Sequence, residues 1–573
     1  MGRRIVGNAR TPLILASIFV AGIALAVHQT GRIYPWGLAA FFVGLVSLVV
    51  TVAAGAPLWS VVTSAIFQGA GYRLAVNYFT TPIGTSPQIQ PGRMDNIVAT
   101  GSAAESGTGF YGDAPIHFLV GAQSAMVFDT SAFDSILLYS VLIAIIAPLL
   151  AIIMTRAIGI RERKTLALVA ILAVCTTEAI RRSYWVVPQT TGSIFWWLAM
   201  AVLVRYVNNG NKGLYIVIAV LTWVMAFTHK LPLFVLSLVF VVLLVLISTD
   251  RIVWQDFGWF SPFRQVTLLL VFVGTVTVIQ LLYVGPLIHN LVTRITRIFS
   301  ATETGAIRDP TIQDPSAATE VLPGMIAYFV EYPSVLTLFV ERGHGIWLLL
   351  FAGVAWFYYY VFVSDDGHRD ELRVLLGAAA VGAALLPIGV VAIGALNPTR
   401  VLVLIEPIAV VLVGALFWKI QQLDIRRIGR IAVYLIFVLL VLSQVFAASA
   451  APDYANTPRY YADYPEAQAE TTFCEFSTET VFVDDYYARY TSIDYESCST
   501  YSVIGRSNDS PLFNAAISPD EHSTVAYRTN VDIYLGDGGD RWRLDWDPAN
   551  ELSSEYNTVY DNDGVRIMHS SDG

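Results

Sequence analysis

SILLYSVLIAIIAPLLAIIMT, residues 135–155, carries no Asp, Glu, Lys or Arg along its whole length. A run of roughly 17 to 25 such residues, rising about 1.5 Å each, crosses a hydrocarbon layer about 30 Å thick as a helix. How often the pattern recurs decides the fold. Comparable runs are predicted at 12–28, 36–54, 57–77, 164–183, 192–208, 213–229, 231–248, 265–285, 344–363, 373–395, 400–418 and 430–449. The reading is a polytopic α-helical membrane protein of about thirteen transmembrane helices. The composition, 55% hydrophobic and 14% charged with a mean hydropathy of +0.58, excludes a single soluble core.

An odd number of spans puts the two termini on opposite sides, and loop charge sets which side is which. Arg3, Arg4 and Arg10, then Arg156, Arg161, Arg163 and Lys164, then Lys419, Arg426, Arg427 and Arg430 fall on the side of the N-terminus. Positive charge is retained in the cytoplasm, so the N-terminus is expected inside and the C-terminus outside a cell membrane. The first run is read as a retained span rather than a cleaved leader, because a second full-length run follows it with no small-residue cleavage site between.

Near Ala451 the apolar runs end, dividing the chain into a membrane domain, 1–450, and an acidic extracellular domain, 451–573. The latter holds 23 acidic and 7 basic residues, a net charge of −16. Such self-repulsion, with four lysines against 31 arginines in the whole chain, suits a high-salt medium and the envelope of a halophilic archaeon; an ordinary acidic ectodomain is the plainer reading. Short strands are predicted at 480–483, 502–504, 524–527 and 531–535. A hairpin turning on Asp561-Asn562-Asp563-Gly564 follows between Val559-Tyr560 and 565–568, giving a small mixed α/β domain. Cys474 and Cys498 lie where oxidation is permitted, as a disulfide or as free thiols. Cys175 is read as packing, Asn508-Asp509-Ser510 is a glycosylation sequon, and no spacing resembles a zinc site.

The long external loop 78–134 holds the polar stretch Gly112-Asp113-Ala114-Pro115-Ile116-His117. A helix beginning at Pro115 would place Asp113 and His117 on one face, able to address one substrate. The apolar residues Ile116, Phe118, Leu119, Ala122 and Met126 recur at helical spacing, which predicts an amphipathic helix on the bilayer surface. Asp113 is the candidate catalytic base with His117 beside it; its plainer role is to cap that helix.

Ionisable residues converge on the same side: Arg181 and Arg182, His229 and Lys230, and Arg400 within Asn397-Pro398-Thr399-Arg400. They form a cationic rim suited to a phosphate. Each has a duller use: Glu178 can pair with Arg181 or Arg182, Lys230 can snorkel to headgroups, and Arg400 can pair with Glu406.

On these residues the chain resembles the type C superfamily of integral-membrane glycosyltransferases, especially archaeal members using dolichyl-phosphate sugars. Asp113 to His117 is similar to that family's acidic external loop, and Arg400-Val401-Leu402 to Glu406-Pro407 to its late-span region near the lipid phosphate. The resemblance implies transfer of a sugar, with inversion, from a polyprenyl (dolichyl) phosphate to a lipid- or protein-linked glycan on the external face. Asp113 would serve as base and the rim as phosphate site. It spans the whole length as topology, but the chain lacks paired acids in the 78–134 loop and a WWD-type motif in the tail. A divalent cation beside Asp113 is the one cofactor admitted. Partners are the lipid donor, a glycan, glycolipid or glycoprotein acceptor and membrane lipids, not nucleic acid. A transporter or flippase of lipid-linked glycans and a non-enzymatic envelope protein are the alternatives.

Overall fold

A computed structural model describes residues 8–30, 36–76, 85–103, 110–184, 186–209, 211–254, 261–284, 325–327, 346–362, 369–391, 398–423 and 427–449. Beyond 450 it describes 465–466, 468–469, 472, 480–484, 487, 501–505, 511–512, 514–529, 531, 534–535, 541–544, 546–562 and 564–571. Cys474, Cys498, Asn508, Arg3, Arg4 and Asn397 lie outside these residues.

The helices run α1 (Arg10–Thr30), α2 (Trp36–Ala53), α3 (Leu58–Val76), α4 (Thr85–Thr100), the single turn α5 (Phe110–Asp113), α6 (Ile116–Phe128) and α7 (Ala132–Ala157). They continue as α8 (Arg163–Val174), α9 (Thr177–Tyr184), α10 (Pro188–Asn209), α11 (Lys212–Ala226), α12 (Lys230–Trp254) and α13 (Ser261–Tyr283). Then come α14 (Ile346–Phe362), α15 (Arg369–Val391), α16 (Pro398–Gln422) and α17 (Arg427–Ser449). Among the described residues each apolar run predicted from the sequence lies on one helix, except 164–183, which lies on two. Among the described residues five are long and apolar enough to cross a membrane: Asp134–Ala157, Pro188–Val207, Val266–Tyr283, Arg400–Gln422 and Gly429–Phe446.

By contacts the chain forms two compact units, one of Met1–Val76, Met94–Ile298 and Phe339–Ser449, the other of Asn77–Arg93, Phe299–Leu338 and Ala450–Gly573. At the centre of the first, α8 is buried from Thr165 to Val174, and α16 from Val403 to Ala415. A helix apolar all round belongs inside a bundle rather than at its surface. Close approach is bought by glycine: a Cβ at Gly414 of α16 would collide with Val169 of α8, and one at Gly382 of α15 with Ile405 of α16.

The structure departs from the predicted 164–183 span. Cys175 and Thr176, both buried, interrupt it between α8 and α9. The 78–134 loop is largely helical too, through α4, α5 and α6, of which only α6 was expected.

In the second unit β1 (Met325–Ala327) belongs to a three-stranded sheet with the later β6 (Arg541–Leu544) and β5 (Tyr534–Leu535), in the order β1-β6-β5. A five-stranded sheet has the order β3-β2-β4-β8-β7, formed by β2 (Val481–Asp484), β3 (Tyr501–Gly505), β4 (Thr524–Arg528), β7 (Tyr556–Asp561) and β8 (Val565–Ser570). β2 runs parallel to β3 and β4, and the rest of the sheet is antiparallel, a mixed sheet. Alternate residues serve two cores: Val525, Tyr527 and Met568 on one face, Val481, Val483, Ala526 and Ile567 on the other. The expected hairpin joins β7 to β8, where Asn562 Oδ1 accepts the N–H groups of Gly564 at 3.2 Å and Val565 at 2.9 Å.

Candidate functional site

Pro115 decides the local geometry of the acidic stretch. The residue before a proline avoids the helical region, so Ala114 breaks the chain between α5 and α6. Pro115 becomes the N-cap of α6, with no side-chain capping bond. Asp113 therefore does not cap that helix; it ends α5 with its side chain exposed. His117 sits within α6 and is fully buried. The shared face expected for the two is not formed, because Asp113 lies outside the helix that carries His117.

His117 Nδ1 is 2.8 Å from Thr191 Oγ1 of α10, its carbonyl accepts the Tyr139 hydroxyl at 3.2 Å, and its Nε2 has no hydrogen-bond partner. The helix is not the half-polar surface element predicted. Phe118, Gly121, Ala122 and Ala125 are buried with His117, while Met126 is exposed with Val127 and Phe128 at the far end. At its start Ile116 N–H donates to Phe227 O at 3.2 Å, tying α6 to the turn that leads into His229. Asp113 is three residues before Ile116, so its backbone lies within about 11 Å of that tie.

The first turns of α10 are the hub. Gln189 Nε2 donates to Arg400 O of α16 at 3.0 Å, and Trp197, two turns on, donates to Val403 O at 2.9 Å. Thr191 holds His117. Gly192 lets the turn before α12 come close: a Cβ there would meet His229 Cβ at 3.2 Å and Pro232 Cγ at 3.0 Å. Sequence reasoning missed Gln189, Thr191 and Gly192, although Pro188-Gln-Thr-Thr-Gly-Ser193 at the head of an apolar span is a polar signal that could have found them.

His229 is buried and its Nδ1 accepts the Leu231 N–H at 3.2 Å, which leaves the proton of the neutral ring on Nε2. Its electrostatic neighbours are Arg400, Lys230, Arg182 and His117. Four of the predicted rim residues are thus brought together with the predicted histidine of α6. Arg400 is exposed. Arg181 and Arg182 share Glu178, at 3.0 Å and 3.7 Å, as the local pairing anticipated. The pairing of Glu406 with Arg400 gives way to another use: Glu406 accepts backbone N–H groups of Glu178 and Ala179 in α9.

This gathering of cations suits an anion. Among the described residues no three His, Cys, Asp or Glu side chains come together as a metal-holding group.

No protein-family model matches the sequence, and neither does any curated protein. Solved structures similar to it include an archaeal oligosaccharyltransferase and ArnT. One is the oligosaccharyltransferase of Archaeoglobus fulgidus, tethered with an acceptor peptide containing the NVT sequon, at TM-score 0.48 and 12% identity over 82% of this chain and 69% of that one. The same enzyme in complex with an inhibitory peptide and a dolichol-phosphate gives 0.47. ArnT from Cupriavidus metallidurans bound to undecaprenyl phosphate gives 0.45 at 11% identity, over 89% of this chain and 97% of that one.

Proposed function

We propose that the chain is a membrane glycosyltransferase that moves a sugar from a polyprenyl (dolichyl) phosphate to a lipid- or protein-linked glycan on the external face. The observation that carries this reading is that the head of α10 holds both Arg400, through Gln189, and the His229-Lys230 turn, against Gly192, with Arg182 electrostatically coupled to His229 and the segment bearing exposed Asp113 tied to the same turn through Ile116. Thirteen spans, a cytoplasmic N-terminus and an external 451–573 domain set that face outside. The acid balance of that domain fits a salt-rich cell envelope.

In this mechanism the acceptor hydroxyl gives its proton to the Asp113 carboxylate as its oxygen bonds to the anomeric carbon. The bond from that carbon to the phosphate oxygen breaks, and its electron pair leaves with the lipid phosphate. Arg400, Lys230 and Arg182, with Arg181 at the edge and the Nε2–H of His229, balance the growing charge. Attack opposite the leaving group inverts the anomeric centre. His117 acts from beneath, holding α6 to α10.

Asp113→Asn keeps size and removes the base. It should lower transfer about 10²-fold or more while dolichyl phosphate still binds; normal glycan composition in cells carrying only this variant overturns the role. A transporter or flippase has one observation in its favour, the broken α8–α9 helix, since interrupted helices mark many transporters. Release of free lipid phosphate by the purified chain in detergent, where there is no second compartment, separates the two.

A further inference from the structure

The break at Cys175 and Thr176 leaves the last carbonyls of α8 and the first N–H groups of α9 without partners in their own helices. Inside an apolar bundle, away from water, each must find one. Two charged side chains from distant helices supply partners for three of these groups. Arg73 of α3, fully buried, donates Nη2 to Val174 O at 2.7 Å and Nη1 to Gly69 O at 3.0 Å. At the other end the Glu406 carboxylate accepts the Glu178 N–H at 2.9 and 3.0 Å and the Ala179 N–H at 3.2 Å. The polarity suits the two helix ends: a guanidinium donor at the carbonyl end, carboxyl oxygens at the N–H end. Thr177 adds a lateral tie, its hydroxyl 3.0 Å from Gln444 Oε1 of α17.

Only eight residues long, α9 carries Arg181 and Arg182 in its last turn. The residue whose N–H Glu406 holds is Glu178, and the Glu178 side chain is the one that grips both arginines. Fixing the first turn therefore fixes the cations one turn on. We propose that Glu406 and Glu178 are positioning residues for the donor phosphate: Glu406 sets the place of α9, and Glu178 aims Arg182 at the cluster around His229. This rests on the glycosyltransferase reading and extends it to two acids that touch no substrate.

Binding of dolichyl phosphate to the purified full-length chain, with dolichol as the phosphate-free probe, tests it. Glu406→Ala is expected to weaken dolichyl phosphate about tenfold and leave dolichol unchanged. The loss should vanish in an Arg182→Ala background, because both changes remove one interaction. Glu406→Gln, which keeps an oxygen for the α9 N–H groups, should restore most of the affinity. If Glu406→Ala does not fold, the near-isosteric Glu178→Gln carries the same test. Losses that add to that of Arg182→Ala, or an equal loss of dolichol, overturn the proposal. Arg400→Ala separates the levels: unchanged dolichyl phosphate binding there removes the phosphate site and this inference with it. A loss with Arg400→Ala but none with Glu406→Ala or Glu178→Gln removes the positioning alone.

Discussion

Asp113 and His117 stand four residues apart in very different surroundings, and one proline separates them. Asp113 keeps contact with solvent, which the proposed role as base requires. His117 is shut in between Thr191 and Tyr139 and serves the scaffold. Thr191→Val leaves His117 Nδ1 without its buried partner, an expected destabilisation of about 1–3 kcal/mol in thermal unfolding of the purified chain. Arg400→Ala should weaken dolichyl phosphate about tenfold, and Arg400→Lys less, because a guanidinium can engage two phosphate oxygens at once. Asp113, His229 and Arg400 stand out as candidates in the sequence because ionisable groups beside apolar runs are rare and conspicuous. Gln189 and Thr191 do not. Their importance comes from partners 211 and 74 residues away, which no local pattern encodes.

At the scale of elements, the hub depends on small residues that let helix heads converge. Gly192→Val would push against both His229 and Pro232; a stability loss of about 1–3 kcal/mol is expected, with weaker dolichyl phosphate binding in the same preparation. The helices themselves were readable, since apolar runs of membrane length have few other fates in a chain this hydrophobic. The division of 164–183 was not, because hydropathy averages over the very window in which Cys175 and Thr176 sit. Nothing in that segment breaks a helix; the interruption is sustained by Arg73 and Glu406, supplied from elsewhere. The surface helix predicted after Pro115 erred in the same direction. Its apolar spacing was real, but the packed neighbours decided which residues faced inward.

Over the whole molecule, the second unit stands on a different kind of interaction from the first. Its β4 is buried at every position, and at its end Arg528 reaches Asp484 through two bonds of 2.7 and 2.9 Å, with Glu466 at 3.9 Å. Arg528→Ala strands two buried acids and should cost about 3–5 kcal/mol, read as selective proteolysis within 451–573. The Arg566–Asp561 bridge across the hairpin is as short, 2.7 Å, but partly exposed, so Arg566→Ala should change little. β-Branched and aromatic content made these strands visible in the sequence, whereas the Arg528 pair, 44 residues apart, emerged only in three dimensions. The plugged break also imposes a timetable on biogenesis. Alone, α8 is about 18 Å long, too short to cross the bilayer, so it must enter joined to the segment after it. The acid that later stabilises the gap is made 228 residues afterwards. Nascent chains halted before position 406 should therefore be cleared by quality-control proteases faster than chains halted after 449, a difference pulse-chase labelling would read.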